Sequence, residues 1–416
     1  MQRTIFVGWR QVAVSMLNQA MAPGSIIVCF SVIAVPLQKA FGPSRTVLML
    51  TMTITYLING LANPLVGAAM DRYSIRKLLM WAAVLLAAGY FVLSFSRSML
   101  LVFLAYGVFL SLANATLGPL SYSTLLPRWF VRRRARAVGI AVLGYALGGL
   151  ILPPVFQYLI DTFGWRDALR LFAAFVIVFL VPVIGWLVID KPSDVGLYPD
   201  GDAQPPPAAV AEGTAAPQST ASLLGDVNFW VVTLAVGLVL CGAAGVLGNM
   251  VQFVISRGFN ATKGALVLSC FSAGSLSSKL LYAAFGDRLT PRLGLAAGLV
   301  LFMLSSIFFL RSHTYTVLIT GSFLLGAAVG VALPLWSYLT ARLFGSANVG
   351  RVFGLMTIVV TPISLLAPPG LGRIYDLTGA YDEGFHLYIL LALCALLLVT
   401  RLRMAMPPRV PEAVVN

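Results

Sequence analysis

Twelve long apolar runs, each broken off by a cluster of charged or turn-forming residues, follow one another from end to end of the chain. Crossing the hydrocarbon core of a bilayer, about 30 Å thick, takes about 20 apolar residues as an α-helix, so runs of this length predict membrane spans. Proline and glycine interrupt the runs, as spanning helices tolerate, and the ten-residue alternation of a membrane β-barrel does not occur. With 59% of residues hydrophobic, 10% charged and a mean hydropathy of +0.92, a soluble fold is excluded. The expected fold is an all-α membrane protein with spans at 12–37, 47–69, 78–96, 99–125, 137–160, 167–189, 228–255, 264–285, 293–310, 315–340, 352–374 and 385–401.

Between the sixth and seventh runs, residues 190–226 carry Pro205-Pro206-Pro207 among many Ala, Gly and Ser, a composition that buries no core. The expected organisation is an N-terminal six-helix bundle over 1–190, a linker over 191–227 and a C-terminal six-helix bundle over 228–416. Lysine and arginine set the orientation. With the N-terminus placed in the cytoplasm, 18 fall on inside segments and 9 on outside ones, which predicts both termini and the linker inside. The net charge of +14 then reflects topology and anionic lipid, and no nucleic-acid partner is expected, because the cations are spread over many short loops. Cys29, Cys241, Cys270 and Cys394 lie inside apolar runs without metal-ligand spacing, so they are read as packing residues, with no metal and no cofactor. Ala20-Met21-Ala22 has the small residues of a signal-peptidase site, but the run continues past it and Pro23 follows, so it is read as part of the first span.

The chain repeats itself at long range. Asp71-Arg72 with Arg76 recurs as Asp287-Arg288 with Arg292, an offset of 216, and Arg136 with Gly139 recurs as Arg351 with Gly354, an offset of 215. Pro153-Pro154, Asp161, Gly164 and Asp167 return as Pro368-Pro369, Asp376, Gly379 and Asp382, again at 215. Both copies start on the same side, so they are parallel six-helix repeats with a substrate site expected at their interface near mid-membrane.

Lys279 is the sole charge near the middle of the apolar stretch Ala265–Phe285. A lysine at bilayer depth costs about 2.5–3.5 kcal/mol on insertion scales, so it normally faces a cavity and meets something negative. Ser272, Ser275, Lys279 and Tyr282 are three, four and three apart and share one helical face, a polar stripe able to hold a carboxylate by charge-assisted hydrogen bonds. The competing reading is snorkelling toward Asp287, eight residues on and about 12 Å along the axis. Asn114 and Tyr122 of the fourth span and Tyr338 of the tenth are further candidates to touch the substrate, ahead of Tyr56, Tyr145, Asn249 and Gln252. A single polar residue in a span is more often an interhelical hydrogen bond than a ligand contact.

Asp71 and Asp287 stand at helix ends beside arginines, where a carboxylate can cap a neighbouring helix or pair with a guanidinium in one conformation and release it in another. Asp71, Arg72, Arg76, Asp287, Arg288 and Arg136 are therefore the expected gating residues of the cytoplasmic side. The alternative is loop charge that serves topology alone, which is the preferred reading for Arg132, Arg133 and Arg134.

Gly67–Lys77, GAAMDRYSIRK, with Ser74 where a second glycine is usual, resembles the motif between helices 2 and 3 of the major facilitator superfamily, and the resemblance covers the whole chain except the linker. Trp129–Gly144, WFVRRRARAVGIAVLG, resembles the helix 5 signature of the monocarboxylate transporter and oxalate/formate antiporter group, as do Gly8-Trp9 and the segment Phe41–Thr46. The resemblance implies the major facilitator fold and transport by alternating access. In that group helix 8 commonly carries an arginine with an acid one turn earlier; Lys279 and Ser275 stand here instead, keeping the positive charge but not the planar fork that grips a carboxylate at two points. The group's animal members also have a lysine within helix 1, whereas Lys39 stands at the helix end.

The expected function is a secondary active or facilitated transporter of small organic anions, monocarboxylates such as lactate or pyruvate foremost, with the carboxylate bound at Lys279. No Asp or Glu lies deep in a span and His313 and His386 fall at span ends, so a co-transported proton requires Lys279 itself to titrate. The rival, an exporter of amphiphilic drugs, would want intramembrane acids and a Gly-Pro-x-x-Gly-Gly signature, which are missing. Paired carboxylates, a His-Glu-x-x-His motif and a Ser/Lys dyad are likewise missing, so an enzyme is not expected. The expected location is a bacterial inner membrane, with the lipid bilayer and one small anion as partners and the protein a monomer.

Overall fold

Side chains that take up the free N–H groups of the first turn set several helix starts. Ser44 Oγ accepts from Val47 N at 3.3 Å, Ser74 Oγ from Lys77 N at 3.3 Å, Thr290 Oγ1 from Leu293 N at 3.4 Å, and Asp226 Oδ1 from Asn228 N at 2.8 Å. Beyond these starts the apolar runs propagate as α-helices, because in lipid every backbone polar group must find its partner within its own segment. The computed structural model describes residues 6–202, 220–285, 290–344 and 349–402.

Twelve helices of the described residues are long and apolar enough to cross a membrane. The first six are α1 (Gly8–Phe41), α2 (Arg45–Arg72), α3 (Ile75–Ser94), α4 (Met99–Trp129), α5 (Arg134–Phe163) and α6 (Trp165–Leu187). The second six are α7 (Val227–Ser256), α8 (Ala261–Phe285), α9 (Pro291–Leu310), α10 (Tyr315–Phe344), α11 (Val349–Thr378) and α12 (Asp382–Val399). Each predicted span falls on one of them, and most helices run a few residues past the apolar limits into polar flanks. α4 breaks at Gly118 before Pro119, and α1, α4 and α6 contain π-helical bulges at Gly24–Val28, Ala105–Leu110 and Val176–Leu180, whereas Pro153 and Pro154 sit inside an uninterrupted α5.

The repeat seen in the sequence returns as geometry. α5 and α11 both end on a glycine with positive φ, Gly164 at 79° and Gly379 at 75°, at positions 215 apart. α1–α6 pack into one bundle and α7–α12 into a second, with the closest approaches where glycine removes the side chain. A methyl group added at Gly144 of α5 would land on the carbonyl oxygen of Met16 in α1, and one at Gly326 of α10 on that of Phe271 in α8. Neither carbonyl can yield without moving its helix, so Gly326→Val is expected to destabilise the fold by about 1–3 kcal/mol. A lower thermal unfolding midpoint in detergent checks this, and an unchanged midpoint contradicts it.

The start of α1 and the end of α12 share one surface, the termini face; the opposite surface is the far face. Packing across the seam between the bundles is carried by α5 on α8, α2 on α11 and α1 on α7. The hydrogen bonds that cross it include Thr53 Oγ1 to Leu365 O at 2.7 Å, Ser269 Oγ to Leu150 O at 2.7 Å and Val251 N to Ser31 Oγ at 2.9 Å. They lie from mid-helix to the far face, so the molecule is sealed there.

The linker, expected from its composition to bury no core, is organised over its described residues up to 202. Residues 192–195 and 199–201 form short turns, and Asp200 receives Val131 N at 2.9 Å, Arg132 N at 2.8 Å and Arg133 N at 3.3 Å, so that the linker docks on the α4–α5 loop. Arg132 also pairs with Asp202. Partial desolvation pushes the Asp200 carboxyl upward, but the three backbone N–H groups and the Arg132 charge outweigh it and hold the group below the usual carboxylate range. A carboxylate whose pKa falls on folding stabilises above its ordinary pKa and loses that contribution as pH drops through the lowered value. Docking is therefore expected to be constant through neutral pH, to loosen only in acid, and to be loosened at pH 7 by Asp200→Ala. Faster hydrogen exchange at Val131–Arg133 is the readout.

A candidate anion site at the seam and its far-face seal

Helix α8 carries Lys279 six residues before Phe285, about 9 Å from that end and about 27 Å from Ala261 at 1.5 Å per residue. Lys279 stands four residues past the midpoint of the run Ala265–Phe285, so it sits in the half of α8 nearer the termini face. Its side chain crosses the seam. The ammonium stands 6.0 Å from the ring centre of Tyr145 on α5, half-buried, and forms no ion pair with a described carboxylate. Here α5 of one half packs on α8 of the other.

The other residues of the predicted stripe divide. Ser272 seats its hydroxyl over Gly149 of α5, where a side chain would collide with it. Ser275 is 1% exposed with its backbone against Gly326 and Gly330 of α10, and its Oγ has no hydrogen-bond partner. Tyr282 is half-buried one turn beyond Lys279. Asn114 is buried with Oδ1 unpartnered, Tyr122 is half-buried on α4, and Tyr338 is exposed and bonded by Arg342 Nη1 at 2.8 Å. No described contact joins Asn114, Tyr122 or Tyr338 to Lys279.

Of the expected gating residues, Asp71, Arg72 and Arg76 are exposed at the termini face, with Arg76 N bonded to Asp190 Oδ1 at 2.8 Å. Arg136 lies 5.7 Å over the Trp9 ring, and Asp287 and Arg288 fall outside the described residues.

The far-face seal is a cluster the sequence did not single out. Asp376, at the end of α11, accepts Arg45 N at 3.0 Å, Thr46 N at 2.8 Å and Thr46 Oγ1 at 2.6 Å, so a carboxylate of one half caps the first turn of α2 in the other. Arg45 lies 3.4 Å over the Tyr375 ring and donates to the Tyr381 hydroxyl. Tyr381 in turn donates to Asn249 Oδ1 at 3.4 Å, and Asn249 Nδ2 reaches Pro368 O at 3.1 Å. Asp161, the repeat partner of Asp376, faces Thr262 at the start of α8 at 3.4 Å. The signal was available: Asp161 and Asp376 are 215 apart and Thr46 and Thr262 are 216 apart, so the repeat pairs both acids and both threonines.

A family model described as Major Facilitator Superfamily matches residues 13–269 and 236–414. The chain belongs to the Major Facilitator Superfamily. Human monocarboxylate transporter 11 is 28% identical over 339 residues, covering 78% of this chain and 68% of that protein. Rat monocarboxylate transporter 12 is 25% identical over 405 residues, covering 91% and 82%. Among solved structures, a bacterial homolog of the human lysosomal transporter Spinster, in an inward-facing and occupied conformation, superposes with a TM-score of 0.71 at 14% identity over 97% of this chain and 98% of that one. This superfamily member is thus an integral membrane transporter of a small molecule rather than an enzyme, with the fold of two six-helix repeats.

Proposed function

We propose that the protein carries small organic anions, monocarboxylates such as lactate or pyruvate foremost, by alternating access, with the substrate carboxylate held at Lys279. The observation that carries this reading is the Lys279 ammonium, reaching across the seam toward Tyr145 without a described carboxylate to neutralise it. A lone cation in a low-dielectric gap is matched by an anion of single charge, whereas a dicarboxylate leaves its second charge unpaired at a cost of several kcal/mol. The names of the two relatives support the same substrate class. Ser275, Tyr282, Asn114, Tyr122 and Tyr338 remain the proposed companions of Lys279 in other states of the cycle.

In this reading the structure is the state open toward the termini face, the side that the lysine and arginine bias favours as cytoplasmic, with a bacterial inner membrane as the proposed setting. Asp71, Arg72, Arg76, Arg136, Asp287 and Arg288 close that side when the far-face seal parts. Coupling to a proton is not required, and exchange or facilitated passage suffices. Uptake of labelled lactate, pyruvate, acetate and a dicarboxylate into proteoliposomes, with and without a pH gradient, tests the proposal. Monocarboxylates are expected to enter and the dicarboxylate to lag; failure of every monocarboxylate overturns it.

A further inference from the structure

At the far-face end of the seam a cavity of about 190 Å³ is lined by Val35, Gln38, Lys39, Arg45, Gln252 and Ile255. It is ringed by α1, α2 and α7, with Tyr375 of α11 and Tyr381, just before α12, behind Arg45. Two cations line it, and Asp376, the carboxylate beside them, is committed to the first turn of α2. Lys39 is exposed and forms no ion pair among the described residues. Gln252 is 2% exposed; its Nε2 donates to Gln38 Oε1 at 3.2 Å, and its Oε1 is buried without a partner. A buried acceptor left open calls for a donor.

We propose that this cavity is a receiving site for a 2-hydroxy monocarboxylate at the far face, with the carboxylate between Lys39 and Arg45 and the hydroxyl donating to Gln252 Oε1. A three-carbon acid fits the volume. The site lies beside the seal, since Arg45 is both a wall of the cavity and the donor to Tyr381, so an anion that draws Arg45 away loosens the contact that keeps the far face shut. The inference rests on the carboxylate reading of the Lys279 site and adds a second place where the same substrate is met.

The test compares influx and efflux kinetics in membrane vesicles of both orientations, with lactate and propionate as the probes. Lys39→Gln is expected to raise KM for lactate offered at the far face about two- to fivefold, the range for one partly exposed charge contact, with kcat unchanged and KM at the termini face unchanged. Raising ionic strength is expected to reproduce part of that change in the wild type and little of it in the variant. Gln252→Leu is expected to weaken lactate at the far face while leaving propionate, which lacks the hydroxyl, as it was. Equal changes at both faces, or none, overturn the receiving site. Equal effects of Gln252→Leu on lactate and propionate overturn the hydroxyl contact. A wild type that carries no carboxylate brings down the functional reading and this inference together, an outcome distinct from the other two.

Discussion

Lys279→Ala is expected to abolish carboxylate uptake while the protein still inserts, folds and purifies as the wild type does. One charge-assisted hydrogen bond to a carboxylate is worth about 1.5–3 kcal/mol, or about a 10- to 150-fold loss of affinity for its removal. The loss in transport is expected at or above the top of that range, because the described residues offer no second cation at that depth. Folding should not suffer, since an unpaired charge at bilayer depth is itself a burden to the fold. Lys279→Arg keeps the charge but brings a longer, planar head into a gap shaped around Tyr145, and a partial loss is expected. Uptake that is undiminished in Lys279→Ala, at matched reconstitution, removes the site assignment.

The second large effect concerns the seal. Asp376→Ala strips the first turn of α2 of an acceptor that takes two backbone N–H groups and the Thr46 hydroxyl from the opposite half. Losing an N-terminal cap costs about 0.5–2 kcal/mol, and here the whole loss falls on the state closed at the far face, because the two halves must separate to open it. The closed population is therefore expected to drop by about 2- to 30-fold relative to the open one. Hydrogen exchange at Thr46–Leu48 reads this directly, and faster exchange is expected in Asp376→Ala than in the wild type. Thr46→Val, which removes one of the three bonds, should fall between them. Exchange unaltered by either substitution means that Asp376 does not hold the seal, and that the Arg45–Tyr375–Tyr381 cluster and the other contacts across the seam suffice.

Much of the fold is legible in the sequence for a simple physical reason. A bilayer imposes one length and one hydrogen-bonding solution on every span, so long apolar runs translate into helices with little ambiguity. Gly164 and Gly379 show the same clarity, since both repeat copies end a helix at the same place with the same positive φ. The site is less legible. Spacing puts Ser272, Ser275 and Lys279 on one helical face, but it cannot say that Ser272 meets Gly149 of α5 or that Ser275 turns its backbone to α10, since those neighbours come from elsewhere in the chain. Asp376 is visible as a repeated acid, yet its partners lie about 330 residues earlier, and distance along the chain hides the pairing. Asp200 in the linker is hidden differently: its composition buries no core, and a single carboxylate meeting three backbone N–H groups has no periodic signature.

Equilibrium binding of radiolabelled lactate to the purified protein in detergent separates capture of the anion from every later step of transport. The wild type is expected to bind lactate saturably, in competition with pyruvate, and Lys279→Ala to show no saturable binding at the same concentrations. Equal binding by the two proteins contradicts the claim that the ammonium on α8 is what the carboxylate meets.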